Sequence, residues 1–364
     1  MVRRENEIRE LSEQFVNVRL IKCNHLDLHL FQFNYDLTFS VFFLNSNKTI
    51  YARYGTRSGH DADQDVHLEG LASTMRDVLK LHQAWENDPA AISLLEGKQP
   101  RRMAKRFPEE FESLSHFKPR LDYRGKVAKS CIHCHQVREA MRLEYRNEKQ
   151  PLPEKLLFVY PSSQVLGITF DKKTSTTIAT VAANSEAEAA GLSSGDKIIE
   201  FDQQLIHSEA DFDWLLHHLP VDQTAIRLKV SRKGKIEEVG LKLSDDWRKK
   251  TDMSWRPTTW DLRRMVTGGL TLVPLNSEER QAMGLKSGQM ALEATHVGMY
   301  GQHARARRAG MRKGDVIVSF DGKRTLITTN DLIEYALQTK KPGDPVEIVY
   351  LRGGKRRTAN IRLQ

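Results

Sequence analysis

The chain has 364 residues, 39% of them hydrophobic, with a formal net charge of +9 and a pI near 9.3. That length calls for two or three domains, and the longest apolar stretches, such as 39–44, are far too short to span a bilayer. The basic residues are spread over all regions without a nucleic-acid motif or interleaved aromatics, so they read as a solvated surface, able also to meet acidic partners or membrane headgroups. The first element is an amphipathic helix over 5–14, with Ile8, Leu11 and Phe15 on one side. Next come a strand over 16–21, a short helical or loop segment over 27–33, and a hairpin of 37–44 with 49–54 around Asn45-Ser46-Asn47-Lys48. A helix over 68–82 follows, with Leu71, Met75, Val78, Leu79 and Leu81 on its apolar side.

The run Asp36-Leu37-Thr38-Phe39-Ser40-Val41-Phe42-Phe43-Leu44 and the later Thr49-Ile50-Tyr51-Ala52-Arg53-Tyr54-Gly55 resemble the second half of a thioredoxin fold. Leu37 stands where that family has a cis-proline, and the family's first strands and its C-x-x-C helix start have no counterpart. The resemblance implies a thioredoxin-like domain over 1–88 that lacks its beginning, with apolar sheet edges left exposed. Met1-Val2-Arg3-Arg4-Glu5-Asn6 contains no export signal. Taken literally it keeps the chain in the cytoplasm; an upstream segment carrying a signal would place it in the periplasm or cell envelope.

Residues 89–157 read as a helical segment around Ser130-Cys131-Ile132-His133-Cys134-His135-Gln136. This C-x-x-C-H pattern is that of c-type haem attachment. Two thiols about one helical turn apart can bond the vinyl groups of one haem, and the adjacent His135 can ligate its iron. Three other readings stay open: a redox dithiol, a partial metal site with His133 and His135, and two ordinary cysteines. The haem reading implies export, and no residue announces itself as a distal ligand. Cys23 is alone and expected to be buried in a strand. His60, His67 and His82 are scattered and read as surface or core residues.

Two segments then repeat one skeleton about 119 residues apart. The first is Ala190-Gly191-Leu192-Ser193-Ser194-Gly195-Asp196-Lys197-Ile198-Ile199-Glu200-Phe201-Asp202, the second Ala309-Gly310-Met311-Arg312-Lys313-Gly314-Asp315-Val316-Ile317-Val318-Ser319-Phe320-Asp321. The glycines suit positions of positive φ between a short helix and a strand, and the aspartates can hold the turn by accepting backbone N–H groups. Each copy continues into a helix with an N-cap residue, Ser208 or Thr328. Each closes with a hairpin, at Arg232-Lys233-Gly234-Lys235 or Arg352-Gly353-Gly354-Lys355.

The two copies resemble PDZ domains of the bacterial HtrA/Deg type over about 158–364. The resemblance implies peptide binding by strand addition between a sheet edge and the helix, with backbone N–H groups receiving a terminal carboxylate. Those loops would be Val165, Leu166, Gly167 and Ile168 in copy one, and Gly268, Gly269 and Leu270 after Thr267 in copy two. Pro274 is expected to cut the second edge strand short, and 276–285 resembles the extra helix of the bacterial type. The region preceding the two copies is too short for the HtrA protease domain, so a protease is excluded and only a redox activity stays open.

The fold class is therefore multidomain α+β: a partial thioredoxin-like α/β domain, then two PDZ domains, β-rich partly open barrels with helices. The domains are 1–88, 89–157, 158–246, a Trp-rich linker over 247–262 pinned by burial of Trp247, Trp255 and Trp260, and 263–364. The function expected is a non-proteolytic adaptor that binds peptide C-termini or exposed strands, with Cys131, Cys134 and His135 as a redox or haem site. The alternative is a haem or thiol electron carrier that its PDZ domains target to partner proteins.

Overall fold

The computed structural model describes residues 6–57, 65–87 and 89–364. His60 lies outside them. The chain forms two compact units, the first from residues up to 110, 114–134 and 158–255, the second from 111–113, 135–157 and 256–364.

The first unit begins with α1 (Asn6–Ser12). Its Ile8 is buried, with Leu11 and Phe15 packed beside it. The expected hairpin forms from β1 (Val41–Leu44) and β2 (Ile50–Tyr54), paired antiparallel. α2 (Leu68–Asn87) brings Ala72, Met75, Val78 and Leu81 to the same core as Phe43 and Tyr51. The strand expected over 16–21 does not form. An extended segment becomes a strand when a neighbour takes its backbone hydrogen bonds, and no described strand pairs with this one; Val16 is 94% exposed.

β2 is not the exposed edge that the thioredoxin resemblance implied, since all five of its residues are buried. Its outer edge is taken by the first repeat copy at Arg53 and by Lys98 and Gln99 at Tyr51 and Ile50. That copy contains β3 (Ile168–Phe170), β4 (Ile178–Val181), α4 (Glu186–Ala189), β5 (Lys197–Phe201), β6 (Gln204–Leu205), α5 (Glu209–His218), β7 (Ala225–Arg232) and β8 (Lys235–Lys242). β3 pairs with β4, while the larger sheet runs β6-β5-β7-β8. Phe170, Ile198, Phe201, Phe212, Leu216 and Val230 share its core, and Trp247 joins them. The first of the three linker tryptophans is therefore pinned by burial as expected.

Asp211 in α5 joins the copy to β2. Its Oδ1 accepts from the Arg53 backbone N–H at 2.9 Å. Its Oδ2 accepts from Lys98 Nζ at 3.0 Å and from the His207 N–H at 3.2 Å. Lys98 ends a 3-10 helix (Pro89–Lys98), is fully buried, and also donates to the Tyr51 carbonyl. The Arg53 carbonyl accepts from Ser208 Oγ, and its guanidinium lies 3.6 Å from the Trp214 ring centroid. Burial lowers the pKa of both cations, Arg53 to about 10. Taking such charges out of water costs several kcal/mol per ion, offset only where geometry and hydrogen bonds are good.

The second unit holds most of α3 (Cys134–Asn147), then α6 (Thr259–Thr267), β9 (Leu270–Pro274), α7 (Ser277–Ala282), β10 (Leu292–Val297), β11 (Val316–Phe320), α8 (Thr329–Thr339), β12 (Pro345–Arg352) and β13 (Lys355–Arg362). One sheet runs β13-β12-β11-β10-β9. The α3 arginines tie that helix to segments flanking α6, α8 and β13: Arg142 donates to the Leu156 and Thr258 carbonyls, Arg146 to those of Lys340 and Gln364. Pro274 does not interrupt the edge strand. It is the last residue of β9, opposite Leu292, a place where an edge strand tolerates a missing N–H. β9 is longer than β3, not shorter. Trp260 is 47% exposed inside α6 rather than buried in a linker, because the linker sequence continues into that helix.

Replacing Lys98 by Met leaves Asp211 facing an apolar group, and the expected destabilisation is about 3–5 kcal/mol, read from urea unfolding. The further change Asp211→Asn should recover part of it. A loss of only about 1 kcal/mol, the range of exposed pairs, would show that this contact does not hold the unit together.

Candidate functional site

The repeated turn is built the same way twice. In copy one, Gly191 and Gly195 have φ of 77° and 89°, and in copy two Gly310 and Gly314 have φ of 90° and 85°. No atom lies near where their Cβ would be, so conformation rather than space requires glycine here. Asp196 accepts from the Ser193 N–H, and Asp315 from the Arg312 N–H. Each aspartate also takes a two-pronged ion pair, from Arg232 (2.8 and 2.7 Å) or Arg352 (2.7 and 2.8 Å). The same arginines donate to the Gly191 and Gly310 carbonyls. The fork of a guanidinium matches a carboxylate in this way. Sequence reasoning missed these arginines, although both open the hairpin turn in the repeat.

In the first groove, Val165 and Leu166 lie in a 3-10 turn (Ser163–Leu166) and Gly167 follows with φ of 84°. A Cβ on Gly167 would meet the Ser185 side chain within 2.3 Å. Ile168 starts β3, whose other edge pairs with no strand among the described residues. The helix wall is α5. Asp213 accepts from the Ser163 N–H at 3.0 Å, and Glu209 forms an ion pair with Lys172, just past β3. Ser163 Oγ donates to the Ile168 carbonyl at 3.0 Å.

The second groove has a different loop. The N–H groups of Gly268 and Gly269 both donate to the Arg263 carbonyl, and that of Leu270 to Thr267 Oγ1. The loop also lies against residues 303–306: a Cβ on Gly269 would come within 2.0 Å of the His303 carbonyl oxygen, and one on Gly268 within 2.8 Å of the Ala306 nitrogen. Along the strand edge, Thr329 Oγ1 of α8 donates to the Leu272 carbonyl at 3.0 Å.

The cysteines do not pair as their spacing suggests. In the first unit, Cys134 Sγ lies 2.9 Å from Cys23 Sγ. Cys131 Sγ turns to the Ile132 carbonyl at 3.6 Å. Cys23 is buried, as expected, but it lies in no strand and is not alone. In the second unit, His135 Nδ1 meets Glu139 Oε1 at 3.0 Å within α3. Thioether attachment of a haem needs the sulfurs of both Cys131 and Cys134. With Cys134 against Cys23, the residues as they stand do not fit that group. Among the described residues no three His, Cys, Asp or Glu side chains gather as a metal site.

The profile of the PDZ domain family matches residues 164–243 and 302–363. The chain carries two PDZ domains. A curated relative, the probable periplasmic serine endoprotease DegP-like of Pseudomonas fluorescens, is 28% identical over 153 residues, which is 42% of this chain and 30% of the relative. The chain thus spans less than a third of that relative's length. Among solved structures, the HtrA-type protease AlgW with decapeptide is 18% identical, covering 38% of this chain and 41% of that one, with a TM-score of 0.24. AlgW with tripeptide is 16% identical, covering 40% and 55%, with a TM-score of 0.25. Among the described residues no helix is long and apolar enough to cross a membrane.

In the first PDZ domain, the Arg232 guanidinium is the main influence that holds the Asp196 carboxyl below the usual carboxylate range. The stability it contributes is fully present above the ordinary carboxylate pKa of about 3.9 and is lost as pH falls through the lowered folded value. Asp196→Asn should lower stability at neutral pH and flatten the acid limb of a stability-against-pH curve. An acid limb identical to that of the parent would show that Asp196 is not linked to folding.

Proposed function

We propose that this chain is a non-proteolytic PDZ adaptor of the bacterial cell envelope that binds peptide C-termini or exposed strands through its first domain. The observation that carries this is the unpaired edge of β3, beside α5 and directly after the Gly167 turn. That is the arrangement a ligand strand needs: main-chain partners along one side and a loop at its end. The second domain is assigned a structural role because the N–H groups of all three of Gly268, Gly269 and Leu270 have acceptors within the fold, whereas in the first loop those of Val165 and Gly167 do, at the Ser162 and Gln164 carbonyls. The name of the curated relative supports a periplasmic setting, and the net charge of +9 supports proximity to an anionic membrane surface. Proteolysis is not carried over from a relative of which the chain spans 30%. The order hairpin then α2 supports a thioredoxin-like origin for the N-terminal segment, whose work here is to brace α5.

A second reading is favoured by the contact of Cys23 with Cys134: a thiol-disulfide electron carrier that its PDZ domains direct to partner proteins.

Peptide binding is tested by fluorescence anisotropy, with labelled peptides ending in a free carboxylate or in an amide. Hydrogen bonds to a charged group are worth about 1.5–3 kcal/mol, so amidation should weaken binding by at least about tenfold. Thr329→Val, at the second groove, should leave the affinity unchanged. Equal affinity for acid and amide would remove the terminal-carboxylate reading, and loss of binding in Thr329→Val would move the site to the second domain.

A further inference from the structure

The approach of Cys23 to Cys134 is held by the backbone around both. The Cys23 N–H donates to the Ile132 carbonyl at 3.4 Å. Asn24 Oδ1 accepts from the Ile132 N–H at 2.8 Å, while Asn24 Nδ2 donates to the Ser130 carbonyl at 2.9 Å and the Lys118 carbonyl at 2.8 Å. Cys23, Asn24 and Ile132 are all at least nine-tenths buried. These bonds clamp 130–132 onto 23–24 and leave Cys134, the first residue of α3, facing Cys23. The 2.9 Å separation is closer than two sulfurs in van der Waals contact, and a movement of under about 1 Å reaches the disulfide length of about 2.05 Å.

We propose that Cys23 and Cys134, rather than Cys131 and Cys134, form a reversible disulfide and so make a thiol-disulfide exchange site. This rests on the redox reading of the C-x-x-C-H segment and is independent of peptide binding. The co-reactant is a small-molecule disulfide, for which glutathione disulfide is the probe. The Cys134 thiolate, at the start of a helix where negative charge is favoured, attacks one sulfur of the oxidant and expels the other as a thiolate. Cys23 then attacks Cys134 Sγ in the mixed disulfide, and the second glutathione thiolate leaves. The two protein thiols lose two electrons to the oxidant, and their two protons pass to the two departing thiolates. The order of attack follows from exposure: Cys23 is buried and Cys134 only half-buried, so the oxidant reaches Cys134 first, and the hydrogen bond to Cys134 and burial, which push the Cys23 thiol's pKa up, act in the same direction.

The test equilibrates the full chain in glutathione buffers of graded redox ratio, alkylates the free thiols and maps the linked peptides by mass spectrometry. Trypsin cuts after Lys22, Lys129 and Arg138, so Cys131 and Cys134 share a peptide separate from that of Cys23. Variants therefore assign the bond. The linked pair should persist in Cys131→Ser and vanish in Cys134→Ser, with one alkylated thiol, Cys131, in the oxidised parent. A Cys131–Cys134 bond would overturn the proposal while leaving the redox reading intact. Haem found covalently attached to these cysteines would overturn it in favour of the cofactor. Three free thiols in the most oxidising buffer would overturn both the proposal and the thiol reading.

Discussion

The helix wall of the first PDZ groove is fixed by a carboxylate that leaves its own helix. Asp211 stands three residues past the N-cap Ser208, and its backbone N–H bonds Ser208 Oγ in the ordinary way. Its carboxylate turns instead to the Arg53 N–H of β2 and the buried ammonium of Lys98. The edge of β2, which by itself would be open to pairing, is filled by side chains: Asp211 and the N-cap Ser208 at Arg53, Lys98 at Tyr51 and Gln99 at Ile50. A charge pair this deep specifies one arrangement, since any displacement leaves a buried ion without a partner. The hairpin, the 3-10 helix and the first PDZ domain depend on it as a single unit.

Asp331 is the counterpart in the second domain, at the same place in the repeat. Its carboxylate returns to the Thr328 N–H and closes a capping box. The two helices thus begin with the same local chemistry and end with different roles. The grooves diverge in a similar way. The glycine-aspartate turn is reproduced almost atom for atom, down to the arginine fork, because it is a local solution to a tight backbone path. The loops ahead of the edge strands are not reproduced. Both edge strands, β3 and β9, pair on one side only; the second loop satisfies the N–H groups of Gly268, Gly269 and Leu270 internally and packs against residues 303–306, while the first turns on Gly167 against Ser185.

Much of the architecture was legible in the chain. The hairpin, α2, the helix caps, the closing hairpins and the short α7 all follow from periodicity and turn residues, which act over a few residues. Misreadings arose where the deciding partner is remote. Residues 16–21 have strand-forming side chains but no neighbouring strand among the described residues. Pro274 is a breaker in a central strand and harmless at the end of an edge strand. Lys98 and Arg53 gave no signal at all, since nothing in a sequence marks a cation for burial before its carboxylate is known. The C-x-x-C-H spacing drew Cys131 and Cys134 together, while Cys134 meets Cys23, a residue 111 positions away.

The sequence by itself determined two copies of one recognition module, their turns and their caps, because each is encoded by residues within a few positions of one another. Tertiary structure alone decided how each loop ahead of an edge strand is packed, which aspartate leaves its cap, and which cysteine faces Cys134. Those outcomes depend on which distant backbone and side-chain groups satisfy a buried donor, charge or thiol, and such pairings have no local signature.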